Sequence, residues 1–550
     1  MKVAIVGAAG VRTPQLVSAL LLYAEELGLD EIRLVDIDEQ RLEWMGLVVR
    51  ELNRRAARPV ALRFSGDPSV ALEAVDFAFF TIRVGGMEAR LADEQIPLRY
   101  GVLGQETTGP GGLSMALRTV PVMVKYLETL EERSPGAWAI NLTNPAGLIT
   151  QALTDRGFSR VVGICDSPAE LFREIAAAIG LEEGDLWFDY FGLNHLGWIK
   201  RIVHRGKDLL PGILEDGRAL LRHGREVIPA SLIRALGVIP NEYLVFYYCS
   251  RQVVERLQVR RLTRAMVIDE LNRRLFAGLA ALAGDPEGQA KALEVYRIYA
   301  RARDASYLQL ETAAGTEGAL SERSDSERTR DGITEPGVTQ PAVTEPAVEA
   351  SHPEGSKGRA GAKPAPWEPG APSAAKEGVT AGADAADLVD LLWDQAASSL
   401  AHPAHSPEGA SGTTQPSGYS GIALRVLRGL HGTAPSVTAV NTVNGWALGC
   451  LDPTDVVEIP SLVDRTGIHP FRVDAPIPEH CRALLQAVKG YERLAAKAAL
   501  EQSYDIALQA LIVHPLVPDA RVAQRILDDL VAAHRQFLGG GLVSKLGLAG

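Results

Sequence analysis

Short apolar runs and longer amphipathic stretches alternate along the first third of the chain. Val3–Val6, Ile32–Val35, Ala61–Phe64, Phe77–Thr81, Trp138–Leu142 and Val161–Ile164 are brief, rich in β-branched or aromatic residues and bounded by turn residues, which predicts buried strands. Between them Pro14–Glu26, Glu39–Arg55 and Ala116–Glu132 carry apolar residues at helical spacing, and Pro14 suits a first helical turn, where its missing N–H costs nothing. Strand–helix alternation of this kind predicts an α/β domain, a doubly wound parallel sheet over residues 1–165. The pattern then changes. Leu186–Gly192 and Trp198–Val203 read as two strands joined by a turn over Leu193–Gly197, followed by helices to about Glu311 and a mixed region from Tyr419 to Phe537. This is α+β in character and predicts a second domain made of 166–314 and 418–538.

The intervening stretch, 315–417, is different material, rich in Glu, Ser, Thr, Ala, Pro and Gly, with near-repeats such as Thr334-Glu-Pro and Thr344-Glu-Pro. It holds too little apolar surface to offset the entropy of ordering and reads as a disordered insert. Its one exception is Ala385–Leu400, where Leu388, Leu391, Leu392 and Trp393 could form an amphipathic helix, either transient or docking on a partner. Residues 539–550, with three successive glycines, read as a flexible tail.

Composition narrows the classes. The formal charge is -12, which gives no basic footprint for nucleic acid. No unbroken apolar run reaches the ~18 residues of a membrane span. Four scattered cysteines (Cys165, Cys249, Cys450 and Cys481) do not form a disulfide framework and fit a reducing cytoplasm.

Two places carry candidate chemistry. The first strand ends in Gly7-Ala8-Ala9-Gly10-Val11-Arg12, small residues that allow close backbone approach to a pyrophosphate ahead of a helix N-terminus. The second strand ends in Asp36, an acceptor for ribose hydroxyls that repels a 2′-phosphate, so NAD is favoured over NADP. Farther on, Asn141–Pro145, Gly163–Pro168 and Gly192–His195 all fall at strand ends or turns. A Cys165 thiolate with a His195 imidazole would suit a borderline divalent metal. Singly, each residue has a plainer reading: a buried cysteine as a small hydrophobe, a turn histidine on a carbonyl, Asn144-Pro145 as a turn dipeptide, Tyr243 as a core tyrosine.

Together with Ile82–Arg90, Asp93–Pro97, Gly104–Gly112, Ile239–Leu244, Ser417–Tyr419, Val440–Asn444 and Val456–Val463, these segments resemble glycoside hydrolase family 4, in that family's order, and within it the 6-phospho-β-glucosidase-like members. The resemblance implies a Rossmann domain with a lactate/malate-dehydrogenase-like C-terminal domain, bound NAD, and a divalent metal, typically Mn²⁺. It implies transient oxidation at C3 of the sugar, elimination across C1–C2, addition of water and re-reduction, a known exception to two-carboxylate hydrolysis. By the same resemblance Cys165 and His195 are the metal ligands, Tyr243 is the base at C2, Asp166 is an acid for the leaving group, and Arg90, Asn144 and Arg264 bind substrate. Asp166 also leaves the anomer open, because an acid here is a feature of phospho-α-glucosidase relatives: a 6-phospho-α-glucosidase or an unphosphorylated α-glycosidase of the same family is the alternative, and Asp166 could instead orient a metal-bound water. A phosphorylated disaccharide or glucoside is the expected partner, with a homodimer or homotetramer as the assembly. A 2-hydroxy-acid dehydrogenase or a non-catalytic NAD-binding scaffold would not need Cys165, His195 and Tyr243 together.

Overall fold

Each of the six predicted strands forms within one residue of its expected ends: β1 Lys2–Val6, β2 Glu31–Val35, β3 Ala61–Ser65, β4 Phe77–Phe80, β5 Trp138–Asn141 and β6 Val161–Gly163. The computed structural model describes residues 1–217, 228–311, 385–401, 418–474 and 476–547. The six strands run parallel in the order β3-β2-β1-β4-β5-β6. Alternate side chains enter opposite cores: Val3, Ile5, Phe77 and Phe79 face one, Ala4, Val6, Ala78 and Phe80 the other. A parallel sheet covered by helices on both faces demands apolar residues in its central strands, which is why β1, β4 and β6 read as near-continuous apolar runs, while β2 and the edge strand β3 carry Arg33 and Arg63.

The sheet does not end at residue 165. Three strands from the far side of the insert, β11 Ser436–Val443, β12 Val456–Asp464 and β13 Gly467–Pro470, extend it to nine. They pair antiparallel, with Asn441 of β11 opposite Gly163 of β6. An open β6 edge would expose unpaired backbone groups, and β11 covers it. The boundary at 165 therefore divides the sequence pattern, not the sheet.

The second sheet holds β7 Trp187–Leu193, β8 Leu196–His204, β9 Lys207–Asp208 and β10 Ile239–Pro240. The predicted five-residue turn between β7 and β8 is in fact two residues, Asn194 and His195, with His195 at φ 62°. The helix expected from Ala116 starts earlier, at Pro110 behind Gly109, and runs to Arg133.

The helix expected as an exception within the insert forms, and the expected flexible tail is corrected. Residues 385–401 form one helix, packed on the helices Arg264–Ala281 and Gly288–Ala305. Val389 and Leu392 are buried there, Arg274 pairs with Asp390, and Arg301 donates to the Ser399 hydroxyl at 2.8 Å. The apolar stripe that suggested a docking helix thus docks on its own chain. The remainder of the expected insert, 315–384 and 402–417, lies outside the described residues. In the expected tail, Leu542 is fully buried and the Gly539 N–H donates to Gln502 Oε1 at 2.7 Å, so residues 539–547 belong to the packed body.

Candidate active site

The carboxyl ends of β1, β2, β4, β5 and β6 open on one edge of the sheet, where ligands sit in folds of this kind. At the β1 end the backbone makes the site. Gly7 has φ 90°, and a Cβ there would lie 2.5 Å from the Thr81 carbonyl oxygen, so only glycine fits. The Gly7 and Ala8 N–H groups donate to the Val35 carbonyl, each at 2.9 Å, and the Gly10 N–H to the Gly7 carbonyl at 3.0 Å. Asp36 takes the Ala9 N–H on one oxygen (2.9 Å) and the Asp38 N–H on the other (3.0 Å). Each oxygen keeps a further lone pair for a ribose hydroxyl. The Val11 carbonyl is held by the Tyr296 hydroxyl at 2.8 Å, which fastens the helix Gly288–Ala305 over the turn.

Arg12 points the other way. Its guanidinium lies 3.7 Å from the Tyr419 ring centroid, beside Asp166. Burial works against its charge, but Tyr419 and Asp166 outweigh burial and keep Arg12 firmly protonated. The turn residue expected at a phosphate therefore also reaches the sulfur end of the site.

Cys165 follows β6, buried, with its Sγ 4.0 Å from both the Asp166 carboxylate and the Tyr419 hydroxyl. Burial, then Glu458 and Asp166, push the thiol well above its usual range. Burial likewise raises Asp166, against the pull of Arg12. His195, at the β7–β8 tip, stacks flat on Tyr243, with ring centroids 3.6 Å apart and planes within 3°. Its Nδ1 is 2.8 Å from the Thr107 hydroxyl, and burial pulls the imidazole down to about 3, so the ring is neutral at neutral pH. Burial and the neighbouring thiol raise the Tyr243 phenol well above its ordinary value, opposite to what a base needs in the protein alone. A buried thiol and phenol among the carboxyls of Asp166, Glu242 and Glu458 form a pocket of potential anions, and a divalent cation beside Cys165 would favour their charged forms. The donor set fits a borderline metal. Among the described residues, no group of three or more His, Cys, Asp and Glu side chains forms a metal cage.

A carboxylate fixes the hairpin that carries His195. Glu458 of β12, fully buried, accepts from the Tyr190 hydroxyl (2.9 Å), from Asn194 Nδ2 (3.2 Å) and from Asn441 Nδ2 (3.0 Å). Burial pushes its carboxyl up to about 7. Gly147 gives the space: a Cβ there would meet Asn194 Cβ at 2.8 Å.

The expected substrate-binding residues lie in two settings. Asn144 Oδ1 is buried without a hydrogen-bond partner among the described residues, which leaves an acceptor open. Arg90 pairs with Glu94 at 2.9 Å, the i,i+4 partner visible in the sequence, but the pair is buried and Arg90 also reaches Glu106 at 3.1 Å. Glu106 further pairs with Arg83 at 2.6 Å; burial opposes its charge, but Arg83 and Arg90 hold it well below the usual carboxylate range. Glu94 accepts from the Ala265 N–H at 2.8 Å, which joins Arg90 to the helix that Arg264 begins. Arg264 binds the carbonyl and hydroxyl of Ser306 and lies over the Tyr307 ring.

Several residues given no role by sequence reasoning belong here. Glu242 accepts from the Ser167 hydroxyl (2.7 Å) and the Tyr307 hydroxyl (3.1 Å), and burial pushes it up to about 7. Thr107, Glu106, Glu242, Tyr419 and Glu458 all sit inside the segments that carried the resemblance, which is the signal that could have singled them out; Tyr307 sits in none.

This architecture is matched by known proteins. The family 4 glycosyl hydrolase model covers residues 2–181, and the model of the family's C-terminal domain covers 190–334 and 369–517. The chain belongs to family 4 of the glycosyl hydrolases. It is 26% identical to a probable 6-phospho-beta-glucosidase of Bacillus subtilis, over 98% of this chain and 97% of that protein. It is 34% identical to 6-phospho-alpha-glucosidase 1 of Lacticaseibacillus paracasei, over 51% of this chain and 69% of that one. The 6-phospho-beta glucosidase of Thermotoga maritima, solved with manganese, NAD⁺ and glucose-6-phosphate, shares the fold with a TM-score of 0.67 at 23% identity, covering 98% of this chain and 99% of that chain. No helix among the described residues is long and apolar enough to cross a membrane.

Proposed function

We propose that this chain hydrolyses a 6-phosphoglucoside, most directly the β anomer, by oxidation at C3, elimination across C1–C2, addition of water and re-reduction. The observation that carries this reading is the flat stack of His195 on Tyr243, which sets a metal-ligand candidate from the β7–β8 turn against a base candidate from the turn after β10 of the same sheet. NAD, when bound, supplies a reversible hydride acceptor, and a divalent cation, Mn²⁺ in this reading, supplies Lewis-acid stabilisation of sugar oxygens.

The chain's own residues do the rest. Gly7, Ala8, Ala9, Gly10, Val11 and Arg12 shape the pyrophosphate turn, and Asp36 takes the ribose. Cys165 and His195 hold the cation. Tyr243, clamped on the imidazole, removes the proton at C2, which a neighbouring ketone acidifies. The orphaned Asn144 Oδ1 accepts from a sugar hydroxyl, and Arg90 and Arg264 donate to hydroxyls or phosphate. The expected setting is a cytoplasmic homodimer or homotetramer.

One observation favours a second reading, the α anomer. Burial holds Asp166 toward its protonated form, as an acid for the departing oxygen requires. Nitrophenyl α- and β-glucosides, each with and without a 6-phosphate, assayed with NAD⁺ and Mn²⁺, decide between the two. Turnover of the β-6-phosphate alone supports the first reading, and turnover of the α-6-phosphate alone the second. Turnover independent of NAD⁺ would remove both.

A further inference from the structure

The loop 104–112 contains a hydrogen-bond chain that ends on His195. Gln105 Oε1 accepts three donors: the Thr107 N–H at 2.6 Å, the Thr108 N–H at 2.8 Å and the Thr107 hydroxyl at 2.8 Å. Two of these are backbone N–H groups, which can only donate, so the atom facing them is the amide oxygen and not its NH₂. An amide oxygen cannot donate, so the Thr107 hydroxyl, 2.8 Å away, spends its single proton on it. The Thr107 oxygen then has only lone pairs left for His195 Nδ1, also at 2.8 Å. That contact is a hydrogen bond only if Nδ1 carries the proton.

The loop has little freedom to do otherwise. A Cβ on Gly111 would lie 2.1 Å from the Gln105 carbonyl oxygen, and one on Gly112 2.5 Å from the Thr107 carbonyl oxygen, so the helix start behind the loop is pressed against it. The His195 ring is gripped on its face by Tyr243, and its backbone stands at φ 62° in a two-residue turn. Ring plane and ring edge are thus set by independent contacts.

We propose that Gln105 and Thr107 are positioning residues: they commit His195 to the Nδ1–H tautomer, which leaves the Nε2 lone pair as the only one the ring can offer a cation. The proposal rests on the reading of His195 as a metal ligand and adds how its nitrogen is chosen. A ligating histidine whose other nitrogen is fixed by an outer partner binds metal more tightly than one left free, by about 10- to 100-fold.

The test uses the full chain, free of metal and then titrated with Mn²⁺. Thr107→Ser keeps the hydroxyl, Thr107→Val keeps the shape without it, and Gln105→Leu removes the acceptor. Free Mn²⁺ is followed by electron paramagnetic resonance. ¹⁵N histidine labelling, assigned with His195→Ala, reports the tautomer directly. The expected result is an Nδ1–H ring in the unaltered chain, Mn²⁺ affinity near the unaltered value for Thr107→Ser, and a loss of about 10-fold for Thr107→Val, with the thermal midpoint unmoved. An Nε2–H ring, or equal Mn²⁺ affinity in Thr107→Val and the unaltered chain, overturns the proposal. If His195→Ala itself binds Mn²⁺ normally, the ligand reading fails instead, and the nitrogen shifts still decide whether the relay sets the tautomer.

Discussion

The two ends of the site are built from different material. At the nucleotide end, backbone does the work: Gly7 at φ 90°, Gly10 against the Gly7 carbonyl, and one carboxylate, Asp36, that closes the turn through the Ala9 N–H. At the metal end, side chains do it, and they arrive from β6, the β7–β8 turn, the loop at 104–112, the 242–243 turn and the residue after the insert. A backbone site tolerates few residue types and keeps its shape empty. A side-chain site gathers buried polar groups whose protonation depends on what it binds.

That contrast can be broken from the metal end first. Cys165→Ser and His195→Ala are expected to lower kcat by about three orders of magnitude or more, as removal of metal by a chelator should, with re-addition of Mn²⁺ restoring only the unaltered chain. Retained turnover in EDTA would place the chemistry elsewhere. Tyr243→Phe comes next: a loss of about 10²- to 10⁴-fold in kcat and the disappearance of C2 hydrogen exchange with deuterated solvent, read by NMR. Exchange that persists would acquit Tyr243.

The nucleotide end should respond through stability and cofactor affinity together. Gly7→Ala puts a Cβ 2.5 Å from the Thr81 carbonyl oxygen at a backbone angle that alanine resists. Strain of this kind costs about 1–3 kcal/mol, so a lower thermal midpoint and weaker NAD binding by calorimetry are expected while Mn²⁺ affinity stays.

A smaller effect separates the ends by pH. The Glu242 carboxyl is raised from 4.5 to about 7 by burial, so the folded state holds its proton where the unfolded chain has lost it. Its contribution to stability is present below the unfolded value and fades as pH climbs toward 7. Glu242→Gln removes that dependence, so the variant's thermal midpoint relative to the unaltered, metal-free chain should rise steadily between pH 5 and 7. A flat difference would mean that the carboxyl is not enclosed. The smallest expected effect on turnover is that of Leu392→Ala in the helix Ala385–Ala401, which should leave kcat nearly unchanged while costing about 2–5 kcal/mol in the docking of that helix.

The same contrast explains what could be read in the sequence. The parallel strands, the Gly7–Gly10 turn and Asp36 were legible because backbone geometry dictates residue type locally. The β7–β8 hairpin was found by its alternation, but its turn was drawn too long: period-two patterning marks strands and says nothing of His195 entering the left-handed region. The extension of the sheet by β11–β13 was missed because Asn441 and its partner Gly163 lie 278 positions apart (441 − 163), and only tertiary contact joins them. Cys165, His195 and Tyr243 came from resemblance. Nothing local reveals that Thr107 meets His195 across 88 positions or that Tyr419 meets Cys165 across 254. The helix at 385–401 showed its apolar stripe plainly, yet composition around it argued for disorder, and only its fit to two neighbouring helices overrode that.

On one side of residues 315–417 stands Tyr307, bonded to Glu242; on the other stands Tyr419, beside Arg12 and Cys165. Both flanks are therefore fastened to the candidate site by their own aromatic rings. A protease that severed the intervening polypeptide would leave two fragments still gripping the same seam, and the nicked molecule would behave as a split enzyme that never came apart.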